Sequence, residues 1–111
     1  MRYSQKDIVL LEFYDPVADR MKFRPALIVS NNELQETEQL VYLAMISTKD
    51  YNPQYCYELS PEMHIGELDK HSYVKCHIIT NNGENGIYRK IGQIKQPYFD
   101  EIVEKIKDSI F

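Results

Sequence analysis

Apolar and polar positions divide the chain into short strand-like segments followed by one amphipathic helix. Runs rich in β-branched and aromatic residues, bounded by turn-forming residues, predict strands. The charged stretch 17–23, with its lone apolar pair, is predicted to be a loop, and 60–66 a polar connection. Residues 81–86 tolerate positive φ and predict a turn. The predicted strands span residues 8–14, 26–30, 41–46, 56–59, 72–80 and 87–94, and Gly92 predicts a bulge in the last of them.

Two helices complete this pattern. Asn31 or Asn32 can cap a short helix over residues 33–38. A second helix is predicted to begin at Pro97, a residue well suited to the first helical position. Apolar side chains then recur at three- and four-residue spacing, forming a single stripe that must pack against something. These side chains are Phe99, Ile102, Val103, Ile106 and Ile110.

The order of these elements predicts one mainly-β domain over residues 1–111. Short antiparallel strands manage their exposed edges best by curling into a small barrel. We therefore expect an SH3-like β-barrel with the C-terminal helix packed on it and one short helix elsewhere. A chain of 111 residues is long enough to bury a core without disulfides or metals.

Composition narrows the class of protein. Hydrophobic residues make up 43% of the chain, which is typical of globular domains. No apolar run reaches the roughly 18 residues of a membrane span, and the N-terminus does not resemble a signal peptide, so a cytoplasmic location without membrane contact is expected. Cys56 and Cys76 match no metal spacing and are predicted to be free, buried thiols.

The candidate chemistry lies on two consecutive predicted strands. Arg24 stands before Pro25 at the entrance of one strand, and Ser47 and Thr48 follow the next. A guanidinium can hold two phosphate oxygens with parallel hydrogen bonds, and hydroxyls can donate to a third. If the two strands pair, they form a phosphodiester site. The formal net charge of −4 argues against a general nucleic-acid coat protein but allows a local basic site.

Five motifs, taken in order, resemble the MazF/PemK family of toxins from toxin–antitoxin pairs. They cover almost the whole chain, and two residues depart from the family pattern: Lys6 replaces a glycine and Ile79 an arginine. The motifs are Lys6-Asp7-Ile8-Val9, the strand Arg24 to Asn31, Ile46-Ser47-Thr48, Ser72-Tyr73-Val74 with Ile78-Ile79-Thr80, and Ile91-Gly92-Gln93-Ile94.

The resemblance implies an endoribonuclease that cleaves single-stranded RNA at a short sequence, either alone or with the ribosome. Neither a metal nor any other cofactor is implied. The partners implied are a second copy of the chain and a cognate antitoxin laid across the RNA groove. DNA would be contacted only through the antitoxin.

RNA cleavage without a metal usually proceeds by attack of the RNA 2′-hydroxyl on its own phosphate, a reaction favoured because the two groups are tethered side by side. The roles of the candidate site residues follow from this reaction. Arg24 would stabilise phosphoryl charge, Ser47 or Thr48 would donate to the same oxygens, and His77 would carry protons. The predicted substrate-binding residues are Arg20, Lys22, Lys49 and Thr80.

Several alternatives remain open from the sequence. Arg24 could be a surface arginine paired with Asp15 or Asp19, the hydroxyls could merely form a turn, and His77 could be an ordinary strand histidine. The endoribonuclease is the leading interpretation, and the second is a barrel that has lost catalysis and binds a peptide, a nucleic acid or a protein. A third alternative is a gyrase-inhibiting toxin of the same shape, for which no motif is present.

Overall fold

A single antiparallel sheet and two helices account for most of the protein. A computed structural model describes residues 2–49, 52–68 and 70–111, and at residue 13 the backbone alone. The helices are α1 (Asn32–Glu38) and α2 (Gln96–Ile110). The strands are β1 (Asp7–Asp15), β2 (Arg20–Ile28), β3 (Leu40–Ser47), β4 (Cys56–Leu59), β5 (His64–Gly66), β6 (Ser72–Gly83) and β7 (Ile87–Ile94).

The sheet curls into a half-barrel. Its strands follow the order β4-β6-β3-β2-β1-β7-β5, and each pair of neighbours is antiparallel. The predicted mainly-β, barrel-like fold with a C-terminal helix and one short helix is confirmed. No helix in the described parts of the chain is long and apolar enough to span a bilayer.

The core lies on both faces of the sheet, as the alternation along β1 requires. Ile8 belongs to one buried cluster and Val9 to the other, because successive strand residues point to opposite faces. The first cluster receives α2 through Phe99 and Ile102, both buried. The predicted stripe on α2 is therefore confirmed, except that Ile110 at its end remains 45% exposed.

Local chemistry explains the ends of α1. The Asn31 side chain accepts a hydrogen bond of 2.8 Å from the backbone N–H of Leu34, satisfying one of the free donors of the first turn. Gln39 ends the helix in the left-handed conformation, with φ of 56°. The predicted short helix and its asparagine cap are both confirmed.

The loop predicted for residues 17–23 is wrong over its second half, because β2 begins at Arg20. Basic and apolar residues alternate from Arg20 to Arg24, which is a strand pattern. It was missed because this end of the β1–β2 hairpin extends past the core and keeps even its apolar side chains exposed. Phe23 packs there on Tyr88, with ring centroids 4.6 Å apart.

Two other connections differ from the prediction. Residues 60–66, predicted to be a polar connection, contain the three residues of β5, which pair with the end of β7. Gly66, the last residue of β5, adopts a φ of 128°. At 81–86, β6 continues to Gly83 and the turn is confined to a 3₁₀ segment, Glu84–Gly86, without positive φ. The predicted irregularity near Gly92 is confirmed, since the β1–β7 register passes from Ile8↔Gly92 to Val9↔Lys90.

The two cysteines are free and buried, as predicted. Cys76 is fully buried in the core cluster beneath α2, and Cys56 is 7% exposed. Burial raises the pKa of the Cys76 thiol to about 11, because a thiolate would lose its hydration there.

Candidate phosphate-binding groove

Pairing of β2 with β3 brings the predicted cation and hydroxyls together. The two strands are antiparallel, with Ala26 opposite Met45 and Leu27 opposite Ala44. Continuing this register by two residues places Arg24 across from Ser47. The condition set by the sequence, that the two strands pair, is therefore met.

Two adjoining hollows form around this point, and we call them together the Arg24 groove. The larger has a volume of about 510 Å³ and the smaller about 200 Å³. Both are lined by Arg24, Ile46, Ser47 and Thr48. The larger is completed by Met45, Lys49, Lys75 and Ile78, and the smaller by Pro25, Leu68, Lys70 and Ser72.

The described lining of the Arg24 groove is basic, whereas the protein has a negative net charge. This described lining includes four basic side chains and no aspartate or glutamate, whereas the chain as a whole carries −4. Low-dielectric walls lined by one sign of charge focus the field and concentrate ligands of the opposite sign. The Arg24 groove is therefore suited to a polyanion. The four basic residues are Arg24, Lys49, Lys70 and Lys75.

Ser47 is held in a defined orientation. Its Oγ accepts a hydrogen bond of 3.1 Å from the backbone N–H of Lys49. A serine hydroxyl has two acceptor lone pairs and one proton, so this contact leaves the proton available to donate. The turn-forming role considered from the sequence is thus compatible with donation to a ligand. Thr48 also lines both hollows but is exposed.

Lys75 was not singled out from the sequence, yet it lines the larger hollow and is only 8% exposed. It lies on β6 where the pairing with β3 is interrupted: Ile46 faces Val74, but Ala44 faces Ile79. Such a bulge redirects side chains. Lys75 and Ile78, which would point to opposite faces of a regular strand, accordingly line the same hollow. A lysine directly between Val74 and Cys76, which are both buried, was the signal that could have identified it.

Three of the predicted substrate-binding residues do not line the Arg24 groove. Arg20 is exposed near the tip of the β1–β2 hairpin, opposite Asp15. Lys22 forms an ion pair with that same Asp15, and this contact lowers the pKa of the carboxyl group. Thr80 lies on β6 opposite Leu43. Of that predicted set, only Lys49 is brought to the groove.

His77 is also absent from the lining of the Arg24 groove. Its ring packs on Tyr55, with centroids 4.8 Å apart, and its Nδ1 is buried with no hydrogen-bond partner among the described atoms. This surrounding resembles that of a packed strand histidine. Its assignment as proton carrier stays a prediction.

Ile79, at the position where the family pattern has an arginine, is half-buried and packs against the core cluster beneath α2. The side chain at this position therefore contributes to packing. In the described parts of the chain, no three histidine, cysteine, aspartate or glutamate side chains come together as a metal site would require.

Comparison with solved structures shows the same fold in several toxins. The Mycobacterium tuberculosis toxin MazF-mt6 is 19% identical, with a TM-score of 0.73 over 93% of this chain and 94% of that one. A mycobacterial endoribonuclease in complex with its cognate antitoxin is 16% identical, with a TM-score of 0.76 over 96% and 93%. MazE–MazF from Deinococcus radiodurans is 12% identical, with a TM-score of 0.77 over 97% and 95%.

The family assignment comes from comparing the sequence with models of protein families. A comparison with curated proteins found no match. The model of the PemK-like, MazF-like toxins of type II toxin–antitoxin systems, however, matches residues 4–110, nearly the entire chain. The chain therefore belongs to the PemK/MazF-like toxin family of type II toxin–antitoxin systems.

Proposed function

We propose that this protein is an endoribonuclease toxin that cleaves single-stranded RNA at a short preferred sequence. The observation that carries the proposal is the Arg24 groove, in which an arginine lies across from a serine hydroxyl within a basic lining of an acidic protein. Family membership supports the same activity. Cleavage would need neither a metal nor a cofactor.

The proposed reaction is an internal transfer of the phosphoryl group. The 2′-oxygen of RNA attacks the adjacent phosphorus, the bond from phosphorus to the 5′-oxygen breaks, and a 2′,3′-cyclic phosphate forms. The 2′-hydroxyl loses one proton and the 5′-oxygen gains one, so the charge is balanced. Because the nucleophile is tethered beside the electrophile, the protein's main task is to orient the linkage and stabilise charge.

Each groove residue has a role in this scheme. The Arg24 guanidinium would hold two phosphoryl oxygens with parallel hydrogen bonds and stay charged throughout. The hydroxyl of Ser47, oriented by the N–H of Lys49, would donate to the charge that develops in the transition state, with Thr48 beside it. Lys49 would attract the strand. Arg20, Lys22 and Thr80 lie outside the groove and are given no contact with the scissile linkage.

The proposed partners are a cognate antitoxin and a second copy of the chain. Two of the structurally similar proteins were solved with an antitoxin, one mycobacterial and one from Deinococcus radiodurans. An antitoxin segment with acidic side chains would suit the basic Arg24 groove and exclude RNA from it. DNA would then be contacted by the antitoxin alone.

A comparison of two arginine variants tests the proposal. Arg89 is a suitable control because it forms an exposed, bidentate pair with Glu67, at 2.8 and 3.0 Å, and is not among the residues that line the groove. The parent and Arg89→Ala should arrest bacterial growth and produce RNA with 2′,3′-cyclic phosphate ends, in EDTA as well as without it. Arg24→Ala should do neither.

Other outcomes identify the rival functions. Binding of RNA without cleavage by the parent would indicate a barrel that has lost catalysis. Growth arrest with intact RNA would indicate a different target, such as gyrase. Cleavage that persists in Arg24→Ala would refute the assignment of the active site.

A further inference from the structure

The two hollows of the Arg24 groove lie on either side of a shared wall. Arg24, Ser47 and Thr48 belong to both hollows, but Lys75 lines only the larger and Lys70 only the smaller. The groove therefore has a central arginine, with Lys70 on the side of the smaller hollow and the shielded Lys75, together with the exposed Lys49, on the side of the larger. With the scissile phosphate bound at Arg24, as proposed above, Lys70 and Lys75 are placed for the parts of the RNA strand that extend from it in the two directions.

Both flanking lysines are fixed to the scaffold by different means. The backbone carbonyl of Lys70 accepts a 2.9 Å hydrogen bond from the Ser72 hydroxyl at the start of β6. The β6 bulge directs Lys75 to the hollow, where its side chain is only 8% exposed. Lys75 is already shielded from water, so it loses little hydration on meeting an anion and its attraction is screened less by salt, whereas Lys70 is exposed.

We propose that Lys70 and Lys75 bind the RNA phosphates on opposite sides of the scissile one, so that the enzyme reads a strand of at least three consecutive phosphates. This inference rests on the proposed function, since it takes the Arg24 site to hold the scissile phosphate. It adds two substrate-binding residues, and it assigns each to one direction along the strand.

The smaller hollow continues beyond Lys70. Leu68 and Lys70 also line a third hollow of about 100 Å³, whose other walls include Leu59, Pro61 and His71. His71 pairs there with Glu58 at 3.2 Å, so a carboxylate lies near this end. A phosphate would be repelled by that carboxylate, and the Lys70 site is therefore the last phosphate contact in this direction.

Binding of an RNA that cannot be cleaved tests the proposal. The probe is the RNA sequence that the parent cleaves, with one 2′-deoxy nucleotide at the attacking position. It is prepared as a short form with only the scissile phosphate and as forms extended by two nucleotides on the 5′ side or on the 3′ side. Each extension should tighten binding to the parent. Lys70→Gln should lose the gain from one extension, and Lys75→Gln the gain from the other.

Salt dependence gives a second readout on the fully extended probe. Each lost phosphate contact should reduce the slope of log affinity against log salt by about 0.7. Lys107→Gln removes the same charge from α2, where Lys107 pairs with Glu104, and should leave both readouts unchanged. Lys75→Arg keeps the cation and guards against a folding defect: it should retain the slope and the gain from its extension.

The proposal is overturned if Lys70→Gln and Lys75→Gln behave like Lys107→Gln, or if both lose the gain from the same extension. In that case the parent still cleaves RNA, and the proposed function stands. A parent that neither cleaves nor binds RNA would instead refute the proposed function and this inference with it.

Discussion

Replacing Ser47 with alanine separates binding from catalysis at the Arg24 groove. The change removes the Oγ that accepts the Lys49 N–H at 3.1 Å and, with it, the proton that the mechanism directs at the phosphoryl oxygens. The loss of one preorganised donor of this type lowers a rate by about 10²–10³, which corresponds to roughly 2.7–4 kcal/mol. We expect this loss in the single-turnover cleavage rate.

The same change should affect RNA binding and folding stability less than it affects the cleavage rate. The ground-state phosphate already carries a negative charge, and a fully formed hydrogen bond to a charged group contributes about 1.5–3 kcal/mol. Because Ser47 is directed at the charge that develops only in the transition state, it makes part of that contribution in the ground state, and the affinity for a 2′-deoxy RNA should fall by a smaller factor than the cleavage rate. The hydrogen bond that Ser47 accepts from Lys49 is neutral and exposed, so about 0.5–1.5 kcal/mol is an upper limit for the loss of folding stability.

The assay combines single-turnover cleavage, binding of the uncleavable RNA and urea unfolding for three variants. Ser109→Ala is the matched control, because its hydroxyl also makes one backbone contact, a 2.6 Å donation to the Lys105 carbonyl on α2. It should cleave at the parent rate. Thr48→Val should lose less activity than Ser47→Ala, because no hydrogen bond among the described residues orients Thr48. If Ser47→Ala loses rate and affinity by equal factors, Ser47 acts in binding alone and its proposed catalytic role is wrong.

Three further predictions concern stability. Gly66→Ala would place a Cβ 2.2 Å from the Ile91 carbonyl oxygen at a φ of 128°, so it should lower the free energy of unfolding in urea by more than about 1–3 kcal/mol. Gly83→Ala, whose Cβ would lie 3.9 Å from its nearest neighbour, should change that free energy by less than about 0.5 kcal/mol, and equal effects of the two changes would contradict the close contact of β5 with β7. Ile102→Ala should lower the free energy of unfolding by about 2–5 kcal/mol, because this side chain is fully buried between α2 and the sheet. Ile110→Ala should lower it far less, because Ile110 is half-exposed, and similar urea midpoints of the two variants would show that α2 is not anchored through Ile102. Burial raises the Cys76 pKa from 9.0 to about 11, so between these pH values the unfolded state releases a proton that the folded state keeps, and stability is lost as the pH rises. Cys76→Ala should therefore flatten the dependence of the urea midpoint on pH, and an unchanged slope would contradict this role of Cys76.

Elements with a strong local pattern were predictable from the sequence. The stripe on α2 and the asparagine cap of α1 appear in the structure because each depends on residues close together in the chain. The start of β2 was missed because the apolar side chains that alternate with basic ones there remain exposed and lie outside the core. The three residues of β5 were missed because they are a strand only through pairing with β7, which is distant in sequence.

The candidate site was predictable in its centre but not at its margins. Arg24 and Ser47 were found because antiparallel pairing of consecutive strands is the simplest arrangement. Lys75 was missed because a bulge, and not the regular alternation of β6, directs it to the groove. His77 was proposed on its chemistry alone, and the packing of its ring on Tyr55 could not be read from the sequence.

In the proposed mechanism, the Arg24 groove promotes attack by the 2′-hydroxyl of RNA on the neighbouring phosphate. This attack is tested most directly by comparing an RNA strand that the protein cleaves with the same strand carrying a single 2′-deoxy nucleotide at the cleaved linkage. Both strands should bind with similar affinity, and only the all-RNA strand should be cleaved. Cleavage of the substituted strand at the same linkage would contradict the mechanism.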